Sequence, residues 1–399
     1  MRILNVAQTY LPYLAEGGRP TKVRILSKKL AERGHHVTVL TAQLGSAEWP
    51  APGAALEKTP DGWRTMIEGV EAIYLRSWWR YRALTVNPHV VGFCKSALGS
   101  FDLVHFYGLY DLLGPEVSYF CRRQRVPYVI EPMGMYRPID RSFQLKRLWH
   151  FSLGRAFWKK AARIVATSEM EQQQLLEDGV PTEKLVIRHN GIDSVAGLSL
   201  PYSGSFRTKW GIPVDEPLLL FLGRLIPRKG ADILIDAFAE ACSASGWLVI
   251  AGPEGEPGYR ALLEKRAQSC GAAPRVIFTG PLYDDEKWAV FADTDVFVLP
   301  SRYENFANAA AEAIASGVPV VITEACGIRS LVSGRAGLVI SPEKESLTAA
   351  LRKLLSDHEL YSQLKAGCGE VAAQLSWDRL AKQMEGYYSD VLGRTNGLS

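Results

Sequence analysis

Apolar residues run through this chain in two rhythms. Short, nearly continuous blocks such as Ile3–Ala7 and Val37–Leu40 end at glycine, proline or polar residues, as strands buried on both faces do. Between such blocks the apolar positions recur every three or four residues. Val23, Leu26, Leu30 and Ala31 predict a helix that opens near Pro20 and stops at Gly34. Further strands are predicted at Ile73–Leu75, Leu103–Phe106, Tyr128–Ile130, Ile164–Thr167 and Leu185–Ile187, with helical patterns between several of them. A turn-rich stretch from Asp193 to Pro217, holding Gly197, Pro201, Gly204, Gly211 and Pro213, then interrupts the series. The alternation restarts with Leu218–Leu222, Trp247–Ala251, Val276–Thr279, Val296–Leu299 and Val320–Thr323. A last helical pattern begins at Trp377 and runs to about Leu392. Strands alternating with helices predict an α/β protein with parallel sheets covered on both faces. The breaks predict two domains, residues 1–195 and 196–376, with the terminal segment 377–399 returning to the first.

Composition narrows the class. At 399 residues, 47% hydrophobic and 22% charged, the chain is long enough for two ordinary cores and too apolar for disorder. The six cysteines form no C-x-x-C pair and no zinc spacing, so reduced thiols and a cytoplasmic setting are expected. The N-terminus lacks the pattern of a secretory signal, and no apolar run is long enough to span a bilayer. Charge is uneven: residues 1–200 carry 26 Lys and Arg against 18 Asp and Glu, and the remainder 20 against 24. A basic first half predicts an anionic partner such as a membrane surface or lipid phosphate. Nucleic acid would suit the charge, but no nucleic-acid motif accompanies it, and none is expected as a partner.

The candidate chemistry lies at strand ends. After Val296–Leu299 comes Pro300-Ser301-Arg302-Tyr303-Glu304-Asn305-Phe306, then a helical pattern from about Asn308 to Ala315 that carries Glu312. Taken alone, two glutamates at that spacing fit a solvated surface better than a site. After Leu218–Leu222 comes Gly223-Arg224-Leu225-Ile226-Pro227-Arg228-Lys229-Gly230. Two cations in a glycine-punctuated loop can converge on one anion, where they would stabilise negative charge that grows on a leaving diphosphate. Gly17-Gly18 sit between the first strand and first helix, where small residues let backbone N–H groups approach an anion.

Together these segments resemble the retaining GT-B glycosyltransferases of family 4 (glycosyl transferases group 1). The run PSRYENFANAAAEAIASGVPVV resembles the P-S-x-x-E…E-A…G-x-P-V-V signature, and FLGRLIPRKG resembles G-R-L-x-x-x-K-G. The opening NVAQTYLPYLAEGG, the segment His189-Asn190-Gly191-Ile192-Asp193 and the pair Ser376-Trp377 are similar to the family's start, domain closure and returning helix. The resemblance implies two Rossmann-like domains with a cleft between them and transfer of a sugar from a nucleotide-diphosphate donor with retained configuration. It implies that Arg224 and Lys229 clamp the diphosphate, with no cofactor and no metal required. Glu304 would meet donor-sugar hydroxyls and Glu312 the ribose. Gly17, Gly18, Gly223, Asn305, Phe306, Ala307 and Asn308 would line the donor, with Glu254 and Leu282 beside the nucleoside. The acceptor would be a carbohydrate or a lipid-linked sugar, in polysaccharide or glycolipid synthesis. A sugar-nucleotide epimerase, a phosphorylase or a non-catalytic binder shares the architecture and stays open.

Several positions depart from the family pattern. Met133, in Glu131-Pro132-Met133-Gly134-Met135, stands where a histidine is expected, and methionine moves no proton. Glu131 is the nearest substitute, or else structural; Tyr136 and Arg137 follow on the expected acceptor side. Asn305 and Ala307 replace two usual glycines, with Asn305 either a sugar contact or a helix cap. Asp293-Thr294-Asp295 spells a metal motif of a different fold and is read here as coincidence. The segment Arg137, Arg141, Lys146, Arg147, Arg155, Lys159, Lys160 and Arg163, interleaved with Phe143, Leu148, Trp149, Phe151, Phe157 and Trp158, is read either as a helix lying on an anionic membrane or as an ordinary core-facing helix. The run Trp78-Trp79-Arg80-Tyr81-Arg82 is a candidate acceptor-side loop.

Overall fold

The computed structural model describes residues 1–13, 18–45, 55–81, 84–137, 149, 153–192, 203–242 and 245–396. Gly17, Arg82, Arg141, Phe143, Lys146, Arg147, Leu148, Phe151, Asp193, Gly197 and Pro201 lie outside the described residues. The chain forms two compact units, one of Met1–His189 with Trp377–Ser399 and one of Asn190–Ser376.

The first unit is built on a nine-stranded sheet. Its order is Leu185–Ile187, Arg163–Ala166, Tyr128–Glu131, Leu103–Tyr107, Arg2–Ala7, His36–Ala42, Val70–Leu75, Gly62–Ile67 and Glu57–Thr59. The first seven pair in parallel, and the last two join antiparallel as a hairpin edge. Leu103–Tyr107 is buried at every position, and Arg2–Ala7 at every position after Arg2, as strands covered on both faces must be. Helix Gly18–Glu32 follows the first strand and buries Val23, Leu26 and Leu30, as their spacing predicts. The two hairpin strands were not predicted. Glu57-Lys58-Thr59 carries no apolar residue, and the strand forms because its neighbour offers an edge rather than because its side chains seek a core.

The terminal helix Trp377–Asn396 belongs to this first unit. Trp377, Ala381, Met384, Tyr388 and Val391 recur at helical spacing and are buried with Val23, Leu26 and Leu30 of the first helix. Arg33 and His35 both bind Glu385, and Tyr387 donates to the Ile187 carbonyl at 2.8 Å, so the helix is held by polar as well as apolar contacts.

The second unit has a six-stranded, wholly parallel sheet in the order Val276–Gly280, Trp247–Ala251, Leu218–Leu222, Val296–Leu299, Val320–Thr323 and Gly337–Ile340. Strand order reverses at Leu218–Leu222, whose neighbours are the next strand in sequence on one side and a later one on the other. In open parallel sheets the crevice at such a switch point, beyond the strands' carboxyl ends, is where ligands bind. The loops that start there are those of Gly223 and Pro300. The first unit has the corresponding reversal at Arg2–Ala7, between His36–Ala42 and Leu103–Tyr107.

Candidate active site

The loops after Leu218–Leu222 and Val296–Leu299 are stitched together by backbone. Arg302 N–H donates to the Arg228 carbonyl at 2.8 Å, and Arg302 also reaches the Pro227 carbonyl. Gly230 has φ +75°, and a methyl group there would meet the Pro300 carbonyl oxygen at 2.2 Å, so only glycine lets the loops approach this closely. Gly252 plays the same part on the other flank, where an added Cβ would lie 1.9 Å from the Gly223 oxygen. Leu225 N–H then donates to Pro253 O at 2.9 Å, which sets Glu254 next to the cation loop.

This framework brings Lys229 and Glu304 together. Lys229 Nζ forms an ion pair with Glu304 Oε2, although 75 residues separate them. Both side chains are mostly buried, at 15% and 21% exposure, yet each keeps an open edge. The Lys229 stem passes over Gly223, within about 4 Å of where a Cβ would stand. Arg224 follows Gly223 directly and is exposed. Glu304 is held through its backbone: its N–H donates to Ala325 O and its carbonyl accepts from Gly327, both at 2.9 Å. Pairing puts a carboxylate and an ammonium at the switch point in one charge-balanced group, with the Arg224 guanidinium adding net positive charge on the same loop.

Helix Asn308–Ala315 begins immediately after this loop. Its cap position is Ala307, so no side chain caps it, and Asn305 is not the cap. Ala307 has φ +82°, in the left-handed region, which is where the family's usual glycine would sit without strain. An uncapped helix start leaves backbone N–H groups and the positive end of the helix dipole available to an anion. Asn190 donates to Asn308 Oδ1 at 2.8 Å, tying the N-G-I segment to the helix start, a link that sequence distance concealed. Phe306 and Ala307 are buried and pack behind the loop, whereas Asn308 is exposed. Glu312 sits on the helix with Lys287 Nζ 3.1 Å away. Glu254 is exposed and accepts from Arg260 N–H at 3.1 Å; Leu282 is half-buried against the core.

The D-x-D of residues 293–295 has structural work. Asp293 accepts from the backbone of Gly204, Phe206 and Arg207, capping helix Ser205–Trp210, and Asp295 accepts from Leu218 N–H and binds Arg207. Among the described residues no group of acids, histidines and cysteines is placed to hold a metal ion.

In the first unit Gly18 opens the first helix and is exposed. The expected acceptor side is rearranged there. Glu131 does not face outward: it is fully buried, with one oxygen paired to Lys22 and the other to Arg188. Burial alone would raise its pKa, but the Arg188 and Lys22 charges reverse this and hold it at about 2. Burial also lowers Lys22 to about 8 and His105 to about 3, although Glu131 opposes both shifts. His105 Nδ1 contacts Tyr388 Oη at 2.7 Å, so the cluster spans the sheet, the first helix and the terminal helix. Sequence reasoning missed Lys22, His105 and Arg188 because each lies inside an apolar pattern. Arg137 is held by Asp178 and Glu177 at 2.8 and 2.9 Å. Tyr136 is half-buried edge-on to Trp158. Met133 has φ +57° and packs half-buried against the core, followed by Gly134 at φ +76°.

Residues 204–368 match the family described as glycosyl transferases group 1, and residues 17–191 match the glycosyl transferase 4-like domain. A D-inositol 3-phosphate glycosyltransferase from Stackebrandtia nassauensis is 34% identical over 400 residues, covering 95% of this chain and 88% of that protein. The chain is a GT-B glycosyltransferase of the group 1, family 4 type. Another D-inositol 3-phosphate glycosyltransferase, from Xylanimonas cellulosilytica, is 28% identical and covers 95% of this chain and 93% of its own length. The crystal structure of Anabaena HepE in complex with UDP-glucose shares the fold, with a TM-score of 0.73 at 20% identity over 98% of this chain and 100% of that one. In this glycosyltransferase the loops at the second unit's switch point carry both family signatures.

Proposed function

We propose that this glycosyltransferase moves a sugar with retained configuration from a nucleoside-diphosphate sugar to a carbohydrate or lipid-linked acceptor, without requiring a metal. The observation that carries this reading is the meeting of Lys229 and Glu304, with Arg224 on the same loop, where strand order reverses in the second unit. A diphosphate at that crevice would find two cations and the uncapped start of helix Asn308–Ala315. Anabaena HepE, which shares the fold, was crystallised with UDP and with UDP-glucose, which makes a uridine nucleotide the first donor to try.

In the proposed course the bond between the anomeric carbon and the diphosphate oxygen lengthens first. Negative charge gathers on the diphosphate, where Arg224 and Lys229 stabilise it more than they stabilise the intact donor. Positive charge gathers on the sugar, as in glycoside hydrolysis. Glu304, held by its backbone and paired with Lys229, orients the sugar hydroxyls. The acceptor oxygen then bonds to the anomeric carbon on the face the diphosphate leaves, and its proton passes to the diphosphate. Glu312 receives the ribose hydroxyls, for which it exchanges part of its contact with Lys287. We place the reaction in the cytoplasm, in polysaccharide or glycolipid synthesis, with the basic first half of the chain toward an anionic membrane. That half's charge supports the placement.

Arg224→Ala and Lys229→Ala should each lower turnover by about 10²-fold or more, the scale on which a charge-stabilising group acts. Turnover is read with the acceptor present and absent, and the anomeric configuration of the product by NMR. Unchanged rates in both variants, or an inverted product, would overturn the proposal. Conversion of the donor alone to an epimer would favour an epimerase.

A further inference from the structure

Outside the active site, the first unit carries a group of large aromatic side chains that its own core leaves uncovered. Strands Trp79–Tyr81 and Leu84–Val86 pair antiparallel in a small ribbon separate from the main sheet. The inner strand is anchored. Thr85 is fully buried and bonded to Gln8 at 2.7 Å and to Asn87 at 2.5 Å, and Asn87 in turn donates to the carbonyls of Leu75 and Arg76 at 3.2 Å. The outer strand is presented. Trp78 is 71% exposed, Trp79 53% and Tyr81 60%. Arg76 and Arg80 are exposed between and beside them. Arg80 is steadied by donating to the Leu44 carbonyl at 2.6 Å.

We propose that this outer strand is a lipid-contacting surface: Trp78, Trp79 and Tyr81 seat at the headgroup level of an anionic bilayer, and Arg76 and Arg80 meet lipid phosphates. Tryptophan and tyrosine fit that depth because each has an apolar body and a polar tip. The arginines supply charge complementarity to anionic headgroups. A soluble glycan is the competing occupant, since aromatic rings also stack on sugars. The charge beside the rings favours the bilayer. Trp79 and Tyr81 stack on one face of the strand, with centroids 6.3 Å apart and planes 17° from parallel. Trp78, just before the strand, lies edge-on to His89. A neutral glycan offers Arg76 and Arg80 no opposite charge, whereas anionic headgroups do, and the basic excess of residues 1–200 points the same way. The proposal assigns the membrane side of the function proposed above to particular residues. It is independent of which sugar is transferred.

The test is sedimentation of the full chain with vesicles of phosphatidylcholine alone and of phosphatidylcholine mixed with phosphatidylglycerol. The parent should bind the mixed vesicles. The triple variant Trp78→Ala, Trp79→Ala, Tyr81→Ala should lose about 100-fold or more in partitioning, the scale of removing three large apolar groups from an interface. Arg76→Gln and Arg80→Gln should each lose about fivefold on mixed vesicles only. Thermal unfolding and UDP binding report whether the variants fold. If the triple variant unfolds, Trp78→Ser, at the most exposed ring, should still lose about tenfold. A parent that ignores both vesicles, or variants that bind as the parent does, would overturn the proposal. Oligosaccharide binding that disappears in the triple variant while vesicle binding persists would overturn it in favour of a sugar platform. Failure of the glycosyltransferase reading would appear in turnover and not in partitioning, so the two can be told apart.

Discussion

Ala307 holds a left-handed backbone at the start of helix Asn308–Ala315, in the candidate site, where a side chain costs about 1–2 kcal/mol relative to glycine. Replacing it with glycine relieves that cost but frees the unfolded chain, which returns about 0.4–1 kcal/mol. Ala307→Gly should therefore raise stability by roughly 0.5–1 kcal/mol, read as a shift in the urea midpoint at unchanged slope. A lower midpoint would mean that the alanine methyl packs better than its backbone suggests. Glu131 is a residue of the opposite kind. Its buried carboxylate answers two buried cations, so Glu131→Gln should cost about 3–5 kcal/mol, the scale of orphaning a buried charge. A loss under about 1 kcal/mol in denaturant unfolding would show that the cluster hydrates freely. At this scale Lys229 and Glu304 were legible as candidates because both stand in polar loops that follow apolar strands, the first of them marked by Gly223 and Gly230. Lys22 and Arg188 were not, because a buried charge leaves no mark on a hydrophobic pattern when its partner is remote in sequence.

Most helices and strands followed from periodicity where burial dictated the residues, although the sheet strand Gly337–Ile340 was not among those predicted. The terminal helix Trp377–Asn396 is the clearest case, since its buried stripe is visible as Trp377, Ala381, Met384, Tyr388 and Val391. Tyr388 both fills the core and contacts His105. Tyr388→Ala should cost about 3–5 kcal/mol, the range for truncating a buried aromatic. Thermal unfolding unchanged from the parent would show that the helix contributes little to the first unit. The hairpin strands Glu57–Thr59 and Gly62–Ile67 and the aromatic ribbon were illegible for a physical reason. An edge strand is recruited by backbone hydrogen bonds, which any sequence can offer, and its side chains need not alternate cleanly.

At the scale of the molecule, the chain spends its first part and its last helix on one unit and a continuous middle on the other. Charge divides along similar lines, with the basic excess in residues 1–200. The proposed functions divide likewise: the second unit holds the donor's diphosphate, and the first meets the acceptor and the membrane. The donor claim comes first, because every proposed chemical step begins with a diphosphate held by Arg224 and Lys229. Calorimetric titration of the whole chain with UDP and with uridine tests it most directly. UDP should bind about 100-fold or more tightly than uridine, because only UDP offers the anion to two cations and a helix start. That advantage should collapse in the Arg224→Ala, Lys229→Ala double variant. Equal affinity for UDP and uridine in the parent, or an undiminished advantage in the double variant, would contradict it.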